Sequence, residues 1–130
     1  MKADKNYSQK IGIMGENIAA EMFRKKGYTV IERNFHSRFG EIDIISKGNG
    51  YIVFAEVKMR SVNSIARPAE FVDFRKQKKI IMTAQIYISR NKSEFQPRFD
   101  VVEILYEPKT MSVISIEHIE NAFDGSAFYG

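Results

Sequence analysis

Residues 40–60, GEIDIISKGNGYIVFAEVKMR, decide how this chain folds. Two runs rich in Ile, Val and Phe flank the dipeptide Asn49-Gly50. A type I′ hairpin turn needs positive φ at both central residues, and Asn-Gly is the pair that supplies it at least cost. With Asn49 and Gly50 as the loop, Gly48 faces Tyr51, Ile45 faces Phe54, Asp43 faces Glu56 and Glu41 faces Lys58. Side chains alternate along a strand, so Glu41, Asp43, Glu56 and Lys58 share one face. Opposed residues sit about 5 Å apart at Cβ, a distance at which two carboxylates repel. Two readings fit this face. It is solvated, with Lys58 pairing with Glu41; or a divalent cation lies between Asp43 and Glu56, because carboxylate oxygens are the hard ligands that Mg²⁺ prefers. In the second reading the Lys58 ammonium sits beside the ion, where it can hold a water or a phosphate.

Upstream of the hairpin, Ile11, Met14, Ile18 and Met22, with Ala19 and Phe23, recur at helical spacing and predict a helix over residues 8–26. Lys25 and Lys26 followed by Gly27 form the expected end, a basic last turn with glycine at C′. Glu16 borders the apolar stripe, next to Ala19, Ala20 and Phe23; it either reaches solvent or adds a third acid to the Asp43/Glu56 patch. Residues 28–33 (YTVIER) read as a strand and 34–39 (NFHSRF) as a polar connection carrying His36 and Arg38. With no second histidine nearby, His36 reads as a surface residue, not a ligand.

Downstream, residues 59–69 read as a loop holding Arg60, Arg67 and Pro68. Phe74, Gln77, Ile81, Ala84 and Ile88 then fall on one stripe of a helix over residues 69–90. Arg75, Lys76, Lys78 and Lys79 crowd its first turns, against the macrodipole, at roughly a few tenths of a kcal/mol per group. They form either a solvated charge cluster or a track for a phosphate backbone. A polar link at 90–96 leads to a strand at 97–106, with Phe99, Val101 and Glu103 on one face and Asp100, Val102 and Ile104 on the other. A turn at 107–110 and a last strand at 111–116 make a second hairpin, and residues 117–130 hold a short terminal turn and a tail. The order α-β-β-β-α-β-β places the chain in the α/β class with a mixed sheet. Residues 1–130 form one domain, with its core at about 8–116 and a frayed N-terminus.

Composition narrows the function classes. Hydrophobic residues make up 44% of the chain, which suits a globular domain and not a disordered one. The absence of cysteine excludes disulfides, thiolate catalysis and Cys-based zinc sites. The N-terminal MKADKNYSQK lacks the apolar core of a signal peptide, and no apolar run approaches the roughly 18 residues of a membrane span. The expectation is a soluble, cytoplasmic protein with no membrane partner. Net charge of +4 and a pI near 9.3 lean towards polyanionic partners.

The spacing of Glu16, Asp43 and Glu56-Val57-Lys58 resembles the PD-(D/E)XK nuclease superfamily, and the element order resembles its restriction-endonuclease-like α-β-β-β-α-β core. More closely, the chain looks like the YraN-type family of small, mostly bacterial candidate endonucleases, which are similar to archaeal Holliday-junction resolvases. The matching residues are Gly15-Glu16, Gly27-Tyr28, Arg33-Asn34, the G-E-I-D of residues 40–43, the E-V-K of 56–58, Arg60, the R-K-Q of 75–77 and the R-F-D of 98–100. The resemblance spans about residues 12 to 105. The proline that precedes the first acid in the superfamily is replaced here by Ile42.

The resemblance implies a metal-dependent endonuclease acting on DNA, with Mg²⁺ or Mn²⁺ as cofactor. Asp43 and Glu56 would be ligands, Glu16 would complete the acidic cluster, and Lys58 would position or activate the attacking water. Arg38, Arg60, Arg67, Arg75, Lys76, Gln77 and Lys79 are the expected nucleic-acid contacts. No helix-turn-helix or finger is present to read bases, so selection by structure, of branched or single-stranded DNA, is expected over selection by sequence. Junction-cutting relatives work as dimers, which makes a homodimer an expectation here too. The competing expectation is a non-catalytic nucleic-acid-binding or scaffold module on the same fold.

Overall fold

The computed structural model describes residues 2–64 and 72–125, with side chains from residue 6 onward. Arg67, Pro68 and residues 69–71 of the expected second helix lie outside the described residues, as do residues 126–130. The chain runs α1 (Lys2–Lys25), β1 (Thr29–Ser37), β2 (Gly40–Gly48), β3 (Tyr51–Ser61), α2 (Phe74–Arg90), β4 (Gln96–Glu107) and β5 (Ser112–Phe123). The five strands form one sheet in sequence order. Every neighbouring pair is antiparallel except β3 and β4, which are parallel and joined through α2. A parallel pair needs such a crossover, since a tight turn cannot reverse the chain twice.

The central hairpin forms as its turn residues dictate. Asn49 and Gly50 have φ of 54° and 83°, and the β2–β3 ladder runs from Gly48↔Tyr51 to Ile44↔Ala55. Gly48 lies against the Tyr28 ring, where a Cβ would come within 2.6 Å of Cδ1. Helix α1 closes through Gly27 at φ 92°, with the Tyr28 amide bonding the Phe23 carbonyl at 2.9 Å and the Gly27 amide that of Arg24 at 3.0 Å. This is the six-to-one and five-to-two pattern of a Schellman end.

Alternation on β3 splits the core into two layers. Ile52 and Phe54 pack with Ile80, Ile81, Ala84 and Tyr87 of α2, while Val53 and Ala55 pack with Ala19, Ala20 and Phe23 of α1. The helices therefore cover opposite faces of the sheet. This is the expected α/β arrangement, a mixed sheet flanked by helices, consistent with a restriction-endonuclease-like core.

Several boundaries differ from those expected. Strand β1 continues through the polar residues 34–37, and only Arg38 and Phe39 form the turn to β2. Strand β3 extends to Ser61, where a loop was expected from residue 59. Strand β5 runs on to Phe123 in place of ending near residue 116. Helix α1 begins at Lys2, and α2 begins at Phe74 behind the N-cap Asp73. Phe74 was expected in the apolar stripe but is 66% exposed. Among the described residues, no helix is long and apolar enough to cross a membrane.

Candidate active site

The site lies where the sheet opens. Ile42 packs in the α2-side core and Ile44 in the α1-side core, although regular alternation would put both on one face. Strand β2 therefore switches faces across Asp43. Strand β1 does the same opposite it, where Asn34 takes φ 54° between Arg33, which bonds α1, and Phe35, which packs on the α2 side. The β2–β3 ladder stops at Ile44↔Ala55, so the expected pairing of Asp43 with Glu56 and of Glu41 with Lys58 is replaced by an opening. In that opening the Asp43 carboxylate takes over a backbone role, accepting from the Val57 amide at 2.8 Å.

Charge accumulates there. Burial, then the neighbouring Glu56 charge, push the Asp43 carboxyl up to about 8, against the bond from Val57; Glu16 and Glu41 add to the rise. Glu56 follows Phe54 on the α2 face of β3 and is buried. Its Oε1 lies 2.6 Å from the Nζ of Lys76, on the first turn of α2. Burial would lower the Lys76 pKa, but this hydrogen bond and the surrounding carboxylates raise it. The Lys76 amide is itself held by Asp73 Oδ1 at 3.0 Å, so the helix cap fixes the root of the side chain that reaches Glu56.

Glu16 approaches from the α1 side. Asn34 Nδ2 donates to its Oε1 at 2.8 Å, and Arg33 Nη2 lies 3.5 Å from the same oxygen. Glu16 thus contributes field to Asp43 while bound to the R-N pair of β1. Lys58 is half-buried two residues beyond Glu56, in register with Glu103 of β4. Arg60, next on that face, lies 3.7 Å from Glu103.

The basic residues divide. Arg75, Lys76 and Lys79 line an open groove of about 410 Å³ with Gly40, Glu41, Asp73 and Ile80. Arg38 stacks over Phe39 at 4.9 Å in the β1–β2 turn, and the adjoining Gly40 abuts Lys79. Gln77 instead donates to the Val72 carbonyl at 2.7 Å and anchors the chain entering α2. His36 is exposed beside Glu41, at 3.4 Å.

Whether these residues suit a divalent cation turns on donors and charge. Asp43 and Glu56 are hard oxygen donors at a partly buried site with excess negative charge, which a cation would relieve. Among the described residues, no three His, Asp or Glu side chains converge into a cage. Mg²⁺ does not require one; it is commonly held by one or two carboxylates, its waters and substrate phosphates. The residues fit a cation of that kind.

A second buried polar cluster had no assigned role in the sequence. Arg98 Nε and Nη2 donate to Asp100 at 2.9 and 2.7 Å, and Nη2 also donates to the Tyr28 hydroxyl at 2.9 Å. His118 Nε2 lies 2.7 Å from Asp100 Oδ2, and the Asn121 amide donates to Oδ1 at 3.0 Å. Burial alone would raise Asp100, but the bonds from His118 and Arg98 outweigh it and hold the carboxyl below its usual range. The cluster ties the end of α1 to β4 and β5. Its sequence signal was the R-F-D triplet.

Comparison with known proteins matches residues 15–104 to an uncharacterised protein family, UPF0102, a span that includes Glu16, Asp43, Glu56, Lys58, Lys76 and Asp100. A UPF0102 protein of Caldanaerobacter subterraneus is 46% identical over 114 residues, covering 87% of this chain and 93% of that one. A Clostridium botulinum relative is 46% identical over 115 residues, with the same coverage. One from Persephonella marina is 45% identical over 114 residues, covering 87% of this chain and 92% of its own. Over most of its length, then, this chain belongs to the uncharacterised protein family UPF0102.

Proposed function

We propose that this protein is a metal-dependent endonuclease that hydrolyses DNA phosphodiester bonds and selects DNA by structure, branched or single-stranded, more than by sequence. The observation that carries the reading is the opening of the sheet at Asp43, where two carboxylates from adjacent strands stand beside a basic groove. Asp43 and Glu56 would hold Mg²⁺ or Mn²⁺. When bound, such an ion polarises a phosphate and lowers the pKa of a coordinated water. Lys58, on the same strand face as Glu56, orients the attacking water or offsets charge that develops on the phosphate. Arg75 and Lys79 bind the backbone without reading bases. Glu16, fixed by Asn34 and Arg33, keeps the field at Asp43 negative.

The Lys76–Glu56 contact also suits the competing reading, a binding module whose acids are neutralised internally. Calorimetric titration with Mn²⁺ separates the two. The parent should bind the ion, and Asp43→Ala/Glu56→Ala should not, while both retain affinity for DNA. Equal Mn²⁺ binding by the two proteins, or none by either, would favour the binding module.

A further inference from the structure

The Lys76–Glu56 pair is unusual in its direction. A lysine normally lays its aliphatic stem on protein and keeps its ammonium in water. Here the side chain is 52% exposed overall, yet its ammonium lies 2.6 Å from a carboxylate on a side chain only 8% exposed. The ammonium is turned towards the buried acid. The Asp73 cap holds the Lys76 amide at the root of this side chain. Its side-chain torsions decide where the ammonium goes.

A metal ion held by Asp43 and Glu56 is disfavoured by that arrangement. Ammonium and dication would compete for Oε1 of Glu56 and repel each other at contact distance. Rotation about the stem carries the ammonium instead into the groove lined by Arg75 and Lys79, where a phosphodiester would meet it. Resting on the metal-dependent reading above, we propose that Lys76 is a built-in counter-cation that holds Glu56 until metal and phosphodiester arrive together. Its two partners, Glu56 and phosphate, couple the two binding events. The coupling is reciprocal: DNA tightens metal binding by the same factor that metal tightens DNA binding.

The test is Mn²⁺ titration of the full chain, with and without a short single-stranded oligonucleotide bearing phosphorothioate linkages. Lys76→Met should bind Mn²⁺ roughly tenfold more tightly than the parent in the absence of DNA, a coupling of ordinary size. In the parent the oligonucleotide should tighten Mn²⁺ binding several-fold, and in Lys76→Met this gain should largely vanish. Lys76→Arg keeps the charge and should behave as the parent. Lys76→Gln serves as a second neutral variant, with circular dichroism melting as the folding check. Mn²⁺ binding by the neutral variants that equals or falls below the parent's would overturn the counter-cation role while leaving the metal site standing. No Mn²⁺ binding by any of the proteins, with or without DNA, would overturn both.

Discussion

Folding and the protonation of Asp43 are linked. In the folded chain its carboxyl is pushed up to about 8, whereas in the unfolded chain it titrates near its ordinary value of 3.8. Between those values the folded state holds a proton that the unfolded state has lost, so without metal this group makes stability fall as pH rises from about 4 to about 8. Asp43→Asn should therefore melt near the parent at pH 4 and above it at pH 8; calorimetric melting across that range checks the sign. Asp100 behaves in the opposite way. Its carboxyl is held low, so its contribution is present above the ordinary carboxyl range and is lost as pH falls through the folded value. Asp100→Ala leaves the buried Arg98 guanidinium without its bidentate partner and should cost about 3 to 5 kcal/mol in urea unfolding at neutral pH. The two acids were unequally legible. Asp43 and Glu56 could be brought together from sequence, since the Asn49-Gly50 turn places their strands side by side. Lys76 could not be set on Glu56, because that contact depends on how α2 docks after a crossover. The Asp100 cluster was hidden because Tyr28 and His118 meet the R-F-D triplet only once the end of α1, β4 and β5 are packed together.

Two glycines show how far element-level rules reach. Gly12 lies inside α1, and a methyl group added there would meet nothing within 4 Å, so Gly12→Ala should raise stability by about 0.5 to 1 kcal/mol through helix propensity alone. Gly48 ends β2, and its Cβ would strike the buried Tyr28 ring at 2.6 Å. Gly48→Ala should cost about 1 to 3 kcal/mol and shift the ring that supports Arg98; parallel thermal melts check both directions. Turn and cap signals were legible because they are local: Asn49-Gly50 closes the hairpin and Gly27 ends α1 as their backbone needs dictate. Extensions of β1 and β5 were not. Both are edge strands with much of their length exposed, so residues 34–37 and 117–123 carry no apolar alternation to mark them. The face switch at Asn34 and Asp43 was equally silent, because a positive φ at Asn34 becomes visible only through the pairing around it.

At the scale of the molecule, the two-faced sheet explains why the acids gather where they do. Helix α1 brings Glu16 to one face, α2 brings Lys76 to the other, and the opening of β2 from β3 leaves Asp43 between them. Lys76, which lines the groove at the start of α2, also reaches Glu56 at this opening. The architecture thus brings acids and basic side chains to one place. The most direct test is cleavage of labelled branched, single-stranded and linear duplex DNA with Mn²⁺ by the parent, Asp43→Ala, Glu56→Ala and Lys58→Ala. The account predicts Mn²⁺-dependent cleavage by the parent, greatest on branched or single-stranded DNA, and a loss of at least about a hundredfold in each variant with DNA binding retained. Cleavage by Asp43→Ala and Glu56→Ala at the parent's rate, or no cleavage of any of these DNAs by the parent, would contradict it.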